Sequence, residues 1–464
     1  MFRITLFISL FSLLIIIKAT AQNEVVPIPT PAQLAWQEAE LTAIFHYDLH
    51  VFDGVKYNQK QNRITPVPDY DIFNPKQLDT DQWIKSVKEM GVKIAILTAT
   101  HETGFALYQS DVNPYSLKAV KWREGQGDIV KDFVESCRKY GIKPGIYIGI
   151  RWNSFYGIYD FKVAGDDEFA QNRQDHYNRM CEGMVDELTS NYGELAIVWF
   201  DGGAHGPKQG GPDVQGIVEK NQPNAIFYHN LDRSDIRWGG SESGTVPYPC
   251  WGTYHTASWF ANRGDSIDFK PIKYGDPNGN YYMPAMSDAP LRGYNGRHEW
   301  FWEPNDEEHI YPLKELMNMY YNSVGHNSTL ILGITPDPDG LVPEPDRKRM
   351  KEFGDKIATT FSDPIAEYTG GDENGEIDLN PGRYVNMVVL EEGISLGERV
   401  RDFSLMAEMD GKWELLYEGT SIGHKHIVRL DRKKVSAVKL KIEESIGPPQ
   451  IKSMKVYDVV NRDN

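Results

Sequence analysis

The chain has 464 residues, 40% of them hydrophobic and 12% aromatic, which is enough apolar surface for the cores of two domains and excludes a disordered protein. Lys and Arg total 49 against 66 Asp and Glu, a formal net charge of -17; such a surface repels phosphate backbones and excludes nucleic acid as a partner. Three cysteines are too few, and odd in number, for a disulfide scaffold.

In chain order, residues 1–21 come first: an early Arg3, an apolar run and the small-residue stretch Ala19-Thr20-Ala21. Together they predict a cleaved secretory signal, a secreted or periplasmic destination, and no membrane anchor on the mature chain. No later stretch is apolar over the length a bilayer demands. A first strand is expected in TAIFHY. Three segments then repeat one plan, an amphipathic helix closed by glycine and followed by a short apolar strand: DQWIKSVKEMGVKIAILTA, DIVKDFVESCRKYGIKPGIYIGI and FAQNRQDHYNRMCEGMVDELTSNYGELAIVWF. Gly91, Gly141 and Gly193 stand where a left-handed residue ends a helix. The strands are apolar throughout, as expected when both faces are covered.

AIFYHN and STLILGI add strands and YPLKELMNMYYNSVG a helix, so about eight units fit between Pro27 and Phe361. The α/β class follows, with residues 22–361 as a (β/α)8-type barrel, distortion allowed, and an open doubly wound sheet as the alternative. From residue 362 to 464 helical periodicity gives way to short alternating stretches such as YVNMVVLEEG and SAVKLKIEES, which predict a C-terminal β-sandwich suited to packing or carbohydrate contact.

Chemistry-bearing groups collect at the strand ends: His46 after TAIF, His101 and Glu102 after AILTAT, Arg151 to Asn153 after GIYIGI, and Asp201 after AIVWF. A barrel assembles its site from such positions. Asp201 is the most telling, because the glycines behind it allow a tight turn and leave the carboxylate open to a ligand. The 12 histidines are scattered without metal-site spacing, so neither metal nor cofactor is expected. The 11 Trp and 25 Tyr offer flat faces on which sugar rings could stack.

With these motifs in view, the chain resembles the family 29 glycoside hydrolases, the α-L-fucosidases, and among them the linkage-selective branch. The pieces that carry the resemblance are WQEAELTAIFHY, FNPKQLDTDQW, ILTATHETGFALYQS, NYGELAIVWFDG, DIRWGGSESG and YYNSVGHNSTLILGITPDPDGL, in that order. It implies a retaining exo-glycosidase acting on terminal fucose, with Asp201 as nucleophile and Glu242 as general acid/base, and with carboxyl groups about 5 Å apart. The acid needs its proton near neutral pH, which burial and the neighbouring Asp201 would favour.

By the same carry-over His46, His101, Tyr147 and Trp199 line the sugar pocket. Arg237 is either a pocket donor or a salt-bridge partner of Asp235, and Glu102, Trp152 and Trp300 complete the expected substrate-binding set. Three departures bear on the sugar: Glu102 replaces a second His, Met286 replaces an acid, and His50 stands where the family has Asn. A carboxylate accepts where a His can donate, so a relaxed glycone preference is expected, with a β-D-galactoside or dual activity as one alternative and a non-catalytic glycan binder as another. The partner is then a fucosylated or galactosylated oligosaccharide, and nothing in the sequence speaks to oligomeric state.

Overall fold

The structure is a computed structural model that describes residues 26–262, 268–297, 300–371 and 374–459. The secretory-signal expectation for residues 1–21 lies outside the described residues. Eight parallel strands form one sheet: β1 (Leu41–Phe45), β2 (Ile94–Thr100), β3 (Lys143–Ile148), β4 (Ile197–Ala204), β5 (Ile226–Asn230), β6 (Arg237–Trp238), β7 (Ala285–Pro290) and β8 (Ser328–Ile334). Their order, β5-β4-β3-β2-β1-β8-β7-β6, is that of a barrel. The seam between β5 and β6 carries no strand pairing among the described residues. Asp235 bridges it instead, donating its N–H to the Phe227 carbonyl at 3.1 Å and accepting the Phe227 N–H on its carboxylate at 2.7 Å.

The repeated helix and strand units fold as expected. Helices α1 (Pro31–Ala39), α2 (Thr80–Met90), α3 (Ile129–Tyr140), α4 (Glu168–Ser190) and α5 (Val214–Asn221) start on side-chain caps, Thr30, Asp79, Asp128, Asp167 and Asp213, each accepting a first-turn backbone N–H. Gly91 and Gly141 end α2 and α3 at φ 99° and 72°. Gly193 is also left-handed, but α4 is capped by Asn191, so the glycine shapes the approach to β4 rather than the helix end.

Alternation along the strands sorts the core into two clusters. Ile44, Ile96, Tyr147, Ile197, Trp199, Tyr228, Met286 and Ile331 pack inside the barrel with Trp36 of α1. Phe45, Leu97, Ile146, Val198, Phe227 and Leu332 pack outward with the helices. Stepping two residues along the inward rows of β1, β4 and β7 leads from Ile44 to His46, from Trp199 to Asp201 and from Met286 to Asp288.

Two more helices, α6 (Leu313–Asn322) and α7 (Glu344–Phe361), complete the barrel. Beyond it, β9 (Ala366–Gly371), β10 (Asn374–Glu392), β11 (Val400–Met409), β12 (Lys412–Gly419), β13 (His426–Ser445) and β14 (Ile451–Tyr457) form an antiparallel sheet in the order β9-β14-β10-β13-β11-β12. The C-terminal β domain is as expected, its six strands joined in one hydrogen-bonded network around a core of its own. The long strands β10 and β13 run through the whole unit and stay paired across register breaks at Asp378/Arg383 and Val385/Met387. Its Met387, Val389, Ile427 and Tyr457 merge into the outer barrel core.

Polar contacts fix the same junction. His424 Nε2 lies 3.1 Å from Glu40, Lys425 pairs with Glu40, and Asn327 donates to Glu398 at 2.6 Å and accepts from the His424 N–H at 2.7 Å. Burial would push the Glu40 carboxyl up, but His424 and Lys425 outweigh it and hold the carboxyl well below the usual range.

Candidate active site

Toward the C-terminal end of the barrel, Asp201 lies half-buried on β4, followed by Gly202 and Gly203 at φ 64° and 82°. A Cβ on Gly202 would sit 2.7 Å from Arg151 Cδ, and one on Gly203 2.5 Å from Phe260 Cε1. The glycines thus serve both the backbone turn and the close approach of neighbouring side chains. Glu242 comes from the loop after β6 and accepts the Trp300 indole N–H on Oε2 at 3.1 Å. Burial first, then the charge of Glu242, pushes the Asp201 carboxyl up, while Trp199, Arg63 and Arg151 act to keep it ionised.

Two neutral histidines stand beside this pair. Burial pulls His46 down to about 3, although Glu242 opposes the shift, and pulls His101 well below the ordinary imidazole value, with His46, His50 and Arg63 adding to it. Their rings lie 5.6 Å apart; His101 stacks on Tyr147 at 5.3 Å and His46 packs 5.1 Å from Trp300. Buried Nδ1 of His46 and Nδ1 of His101 have no hydrogen-bond partner within the chain. Leaving such groups unpaired is unfavourable, so they mark where ligand hydroxyls would bind.

Glu102 is also in the site, but tied up: Arg63 donates to Oε1 from Nε at 2.7 Å, with Nη2 also 2.7 Å away, and the Tyr57 hydroxyl donates to Oε2 at 3.3 Å. Burial pushes Glu102 up to about 7, chiefly against Arg63. Arg63 also lies over the Trp152 ring at 3.6 Å, whose centroid is 4.5 Å from Arg151. Burial likewise pulls His50 down to about 3; both its ring nitrogens lack partners, and its ring meets Phe301 edge-on at 4.1 Å. A cleft of about 850 Å³ opens beside Glu242, lined by Lys56, Tyr57, Lys60, Trp238 and Trp300 among others.

Of the expected site residues, the structure brings together Asp201, Glu242, His46, His101, Glu102, Tyr147, Trp152, Trp199 and Trp300. Arg237 is not among them. It is fully buried and donates to the Ile272 and Met283 carbonyls at 3.0 and 2.6 Å and to Cys250 Sγ at 3.0 Å. Asp235 takes Arg233 as its partner instead, at 2.8 Å. The reason is alternation: Trp238 turns toward the pocket, so its neighbour Arg237 must turn away.

Three residues enter that the sequence reading omits: Arg63, Tyr57 and Asp288. Asp288 is 8% exposed and accepts the Trp238 indole N–H on Oδ1 at 3.0 Å. Burial, then Glu242 and Asp201, push its carboxyl well above the ordinary value. The strand period could have found it, since it lies two residues beyond the inward Met286. Among the described residues no group of three His, Cys, Asp or Glu could hold a metal, and no helix is long and apolar enough to cross a membrane.

The chain is similar to known proteins in sequence and fold. A family model described as Alpha-L-fucosidase matches residues 32–359. "Alpha-L-fucosidase 1" of Arabidopsis thaliana is 26% identical, over 98% of this chain and 94% of its own. The crystal structure of a candidate alpha-L-fucosidase from Bacteroides thetaiotaomicron VPI-5482 is 56% identical, covers 94% of this chain and 100% of its own, and superposes with a TM-score of 0.92. A glycoside hydrolase 29 family member from an unknown rumen bacterium is 28% identical over 95% of this chain and 79% of its own, with a TM-score of 0.79.

Proposed function

The chain belongs to the alpha-L-fucosidase family of glycoside hydrolases, and from that premise we propose that it removes terminal α-L-fucose from oligosaccharides by double displacement, Asp201 acting as nucleophile and Glu242 as general acid/base. The observation that carries this reading is the pair of buried, unpartnered histidine nitrogens, on His46 and His101, beside Asp201 and Glu242. In the first step an Asp201 oxygen bonds to the anomeric carbon as the bond to the leaving oxygen breaks, and Glu242 gives that oxygen its proton. In the second, Glu242 takes a proton from water, which displaces Asp201 and restores the starting configuration.

The glycone preference extends to other galactose-like sugars, including a β-D-galactoside. Glu102, already saturated by Arg63 and Tyr57, stands where a second donating His would be expected and leaves fewer donors to insist on one hydroxyl pattern. The leader-like composition of residues 1–21 supports the reading that the enzyme works outside the cytoplasm. Incubation with aryl α-L-fucoside and aryl β-D-galactoside, with the first-formed anomer followed by proton NMR, tests the reading. Turnover with α-L-fucose appearing first supports it; turnover of neither glycoside overturns it, and β-L-fucose appearing first overturns retention.

Arg63→Gln tests the electrostatic side. Removing a cation near Asp201 makes its carboxyl hold the proton more tightly, so the ionised nucleophile is reached only at higher pH. The acidic limb of the kcat/KM profile should move up by about one pH unit.

A further inference from the structure

Beside Asp201 and Glu242 at the mouth of the barrel stands a further carboxyl group, Asp288, and it holds the loop that carries Glu242. Strand β7 pairs with β6 in the register Ala285 to Arg237 and Met286 to Trp238. Two residues beyond that pairing, Asp288 reaches back to the segment that leaves β6. Its carboxylate accepts the Trp238 indole N–H at 3.0 Å, and its backbone carbonyl accepts the Gly244 N–H at 2.8 Å. Glu242 lies between those two anchors. The intervening chain has little slack: a Cβ on Gly239 would come within 2.9 Å of the Met286 carbonyl oxygen, and one on Gly244 within 2.8 Å of Met319 Sδ.

We propose that Asp288 is a positioning residue for the acid/base: it clamps both ends of the Trp238–Gly244 loop and shares a proton with Glu242, so that ionising either carboxyl opposes ionising the other. This inference rests on the assignment of Glu242 as acid/base. The two halves of the site then have opposite surroundings. Arg63 and Arg151 stand on the side of Asp201 and favour its ionised form, whereas Asp288 opposes the loss of the Glu242 proton.

The groups around Asp288 are consistent with that division. Glu242 and Asp201 are the charges acting on it most strongly, and Trp238 is its hydrogen-bond donor. His46, which faces Glu242, is neutral, Arg237 on the adjacent strand is turned away, and the residue paired with Asp288 on β8 is the apolar Ile331. Such an arrangement keeps one group charged and its partner protonated at the same pH.

Asp288→Asn separates charge from clamp, because the amide oxygen can still accept from Trp238. We expect kcat/KM to fall by about tenfold to a hundredfold on a fucosyl disaccharide, whose leaving group needs a proton, and by less than about threefold on α-L-fucosyl fluoride, which needs none. The basic limb of the disaccharide profile should move to lower pH. Asp288→Ala, which also removes the side-chain clamp, should lower disaccharide turnover further, with fluoride turnover again the less affected.

Equal losses on both substrates, or a basic limb that stays in place in Asp288→Asn, would overturn the proposal. So would restoration of Asp288→Ala, but not Glu242→Ala, by added azide, since that result would make Asp288 itself the acid. If the wild type turned over neither fucoside, the broader reading would fail instead, which keeps the two failures distinct.

Discussion

Asp201→Ala should lower kcat/KM on an aryl α-L-fucoside by at least about 10⁴-fold, equivalent to about 5.4 kcal/mol of lost transition-state stabilisation. The carboxylate makes the bond to the anomeric carbon, and no other acid occupies the inward position at the end of β4. Glu242 and Asp288 are nearby, but each is engaged by an indole N–H on the far side of the pocket. Azide should restore turnover by attacking the face Asp201 has vacated, giving the fucosyl azide of inverted configuration.

Thermal stability should move the other way. A carboxyl pushed up on folding binds its proton more tightly folded than unfolded, so its ionisation at neutral pH opposes folding. Removing it should therefore raise the melting temperature at pH 7 and change it little at pH 3, where the carboxyl is protonated when folded and largely protonated when unfolded. A variant that lost both activity and stability at pH 7 would contradict this account.

Glu242→Gln should have the second largest effect, set by the leaving group. The amide keeps the shape of the side chain but cannot give up a proton. On a fucosyl disaccharide kcat/KM should drop by about 10²- to 10⁴-fold, and on α-L-fucosyl fluoride it should be nearly unchanged. Breakdown of the fucosyl-enzyme also needs this residue as a base, so the fluoride should show a burst followed by slow turnover. The basic limb of the pH profile should vanish. A uniform loss on both substrates would remove Glu242 from the chemistry.

Much of the scaffold was legible because it rests on local rules. The helix, glycine and strand repeats of residues 80–200 carry their own caps and turns, and Asp201 follows the inward row of β4. The side of the site that faces Glu242 was harder to see. β6 is only two residues long, too short to show in the sequence that the pleat turns Arg237 away from the pocket and from Asp235 alike. The run AMSDAP has no strong β character, which hid both β7 and its inward Asp288. Arg63 sits in NQKQNRIT, which reads as a solvated polar stretch until the fold brings it onto Trp152. Each omission involves a contact between segments far apart in sequence.

The attachment of the C-terminal sheet has a consequence for how this protein can change over time. Glu40 precedes β1 and Asn327 precedes β8, so the contacts with His424, Lys425 and Glu398 grip the barrel at the end opposite Asp201. The crossover after β6 belongs to both ends, since it carries Glu242 and also donates the Tyr248 hydroxyl to the Ser421 carbonyl at 2.9 Å. A substitution in the other rim loops can then change a sugar contact without loosening the attachment, whereas one in the crossover after β6 touches both at once.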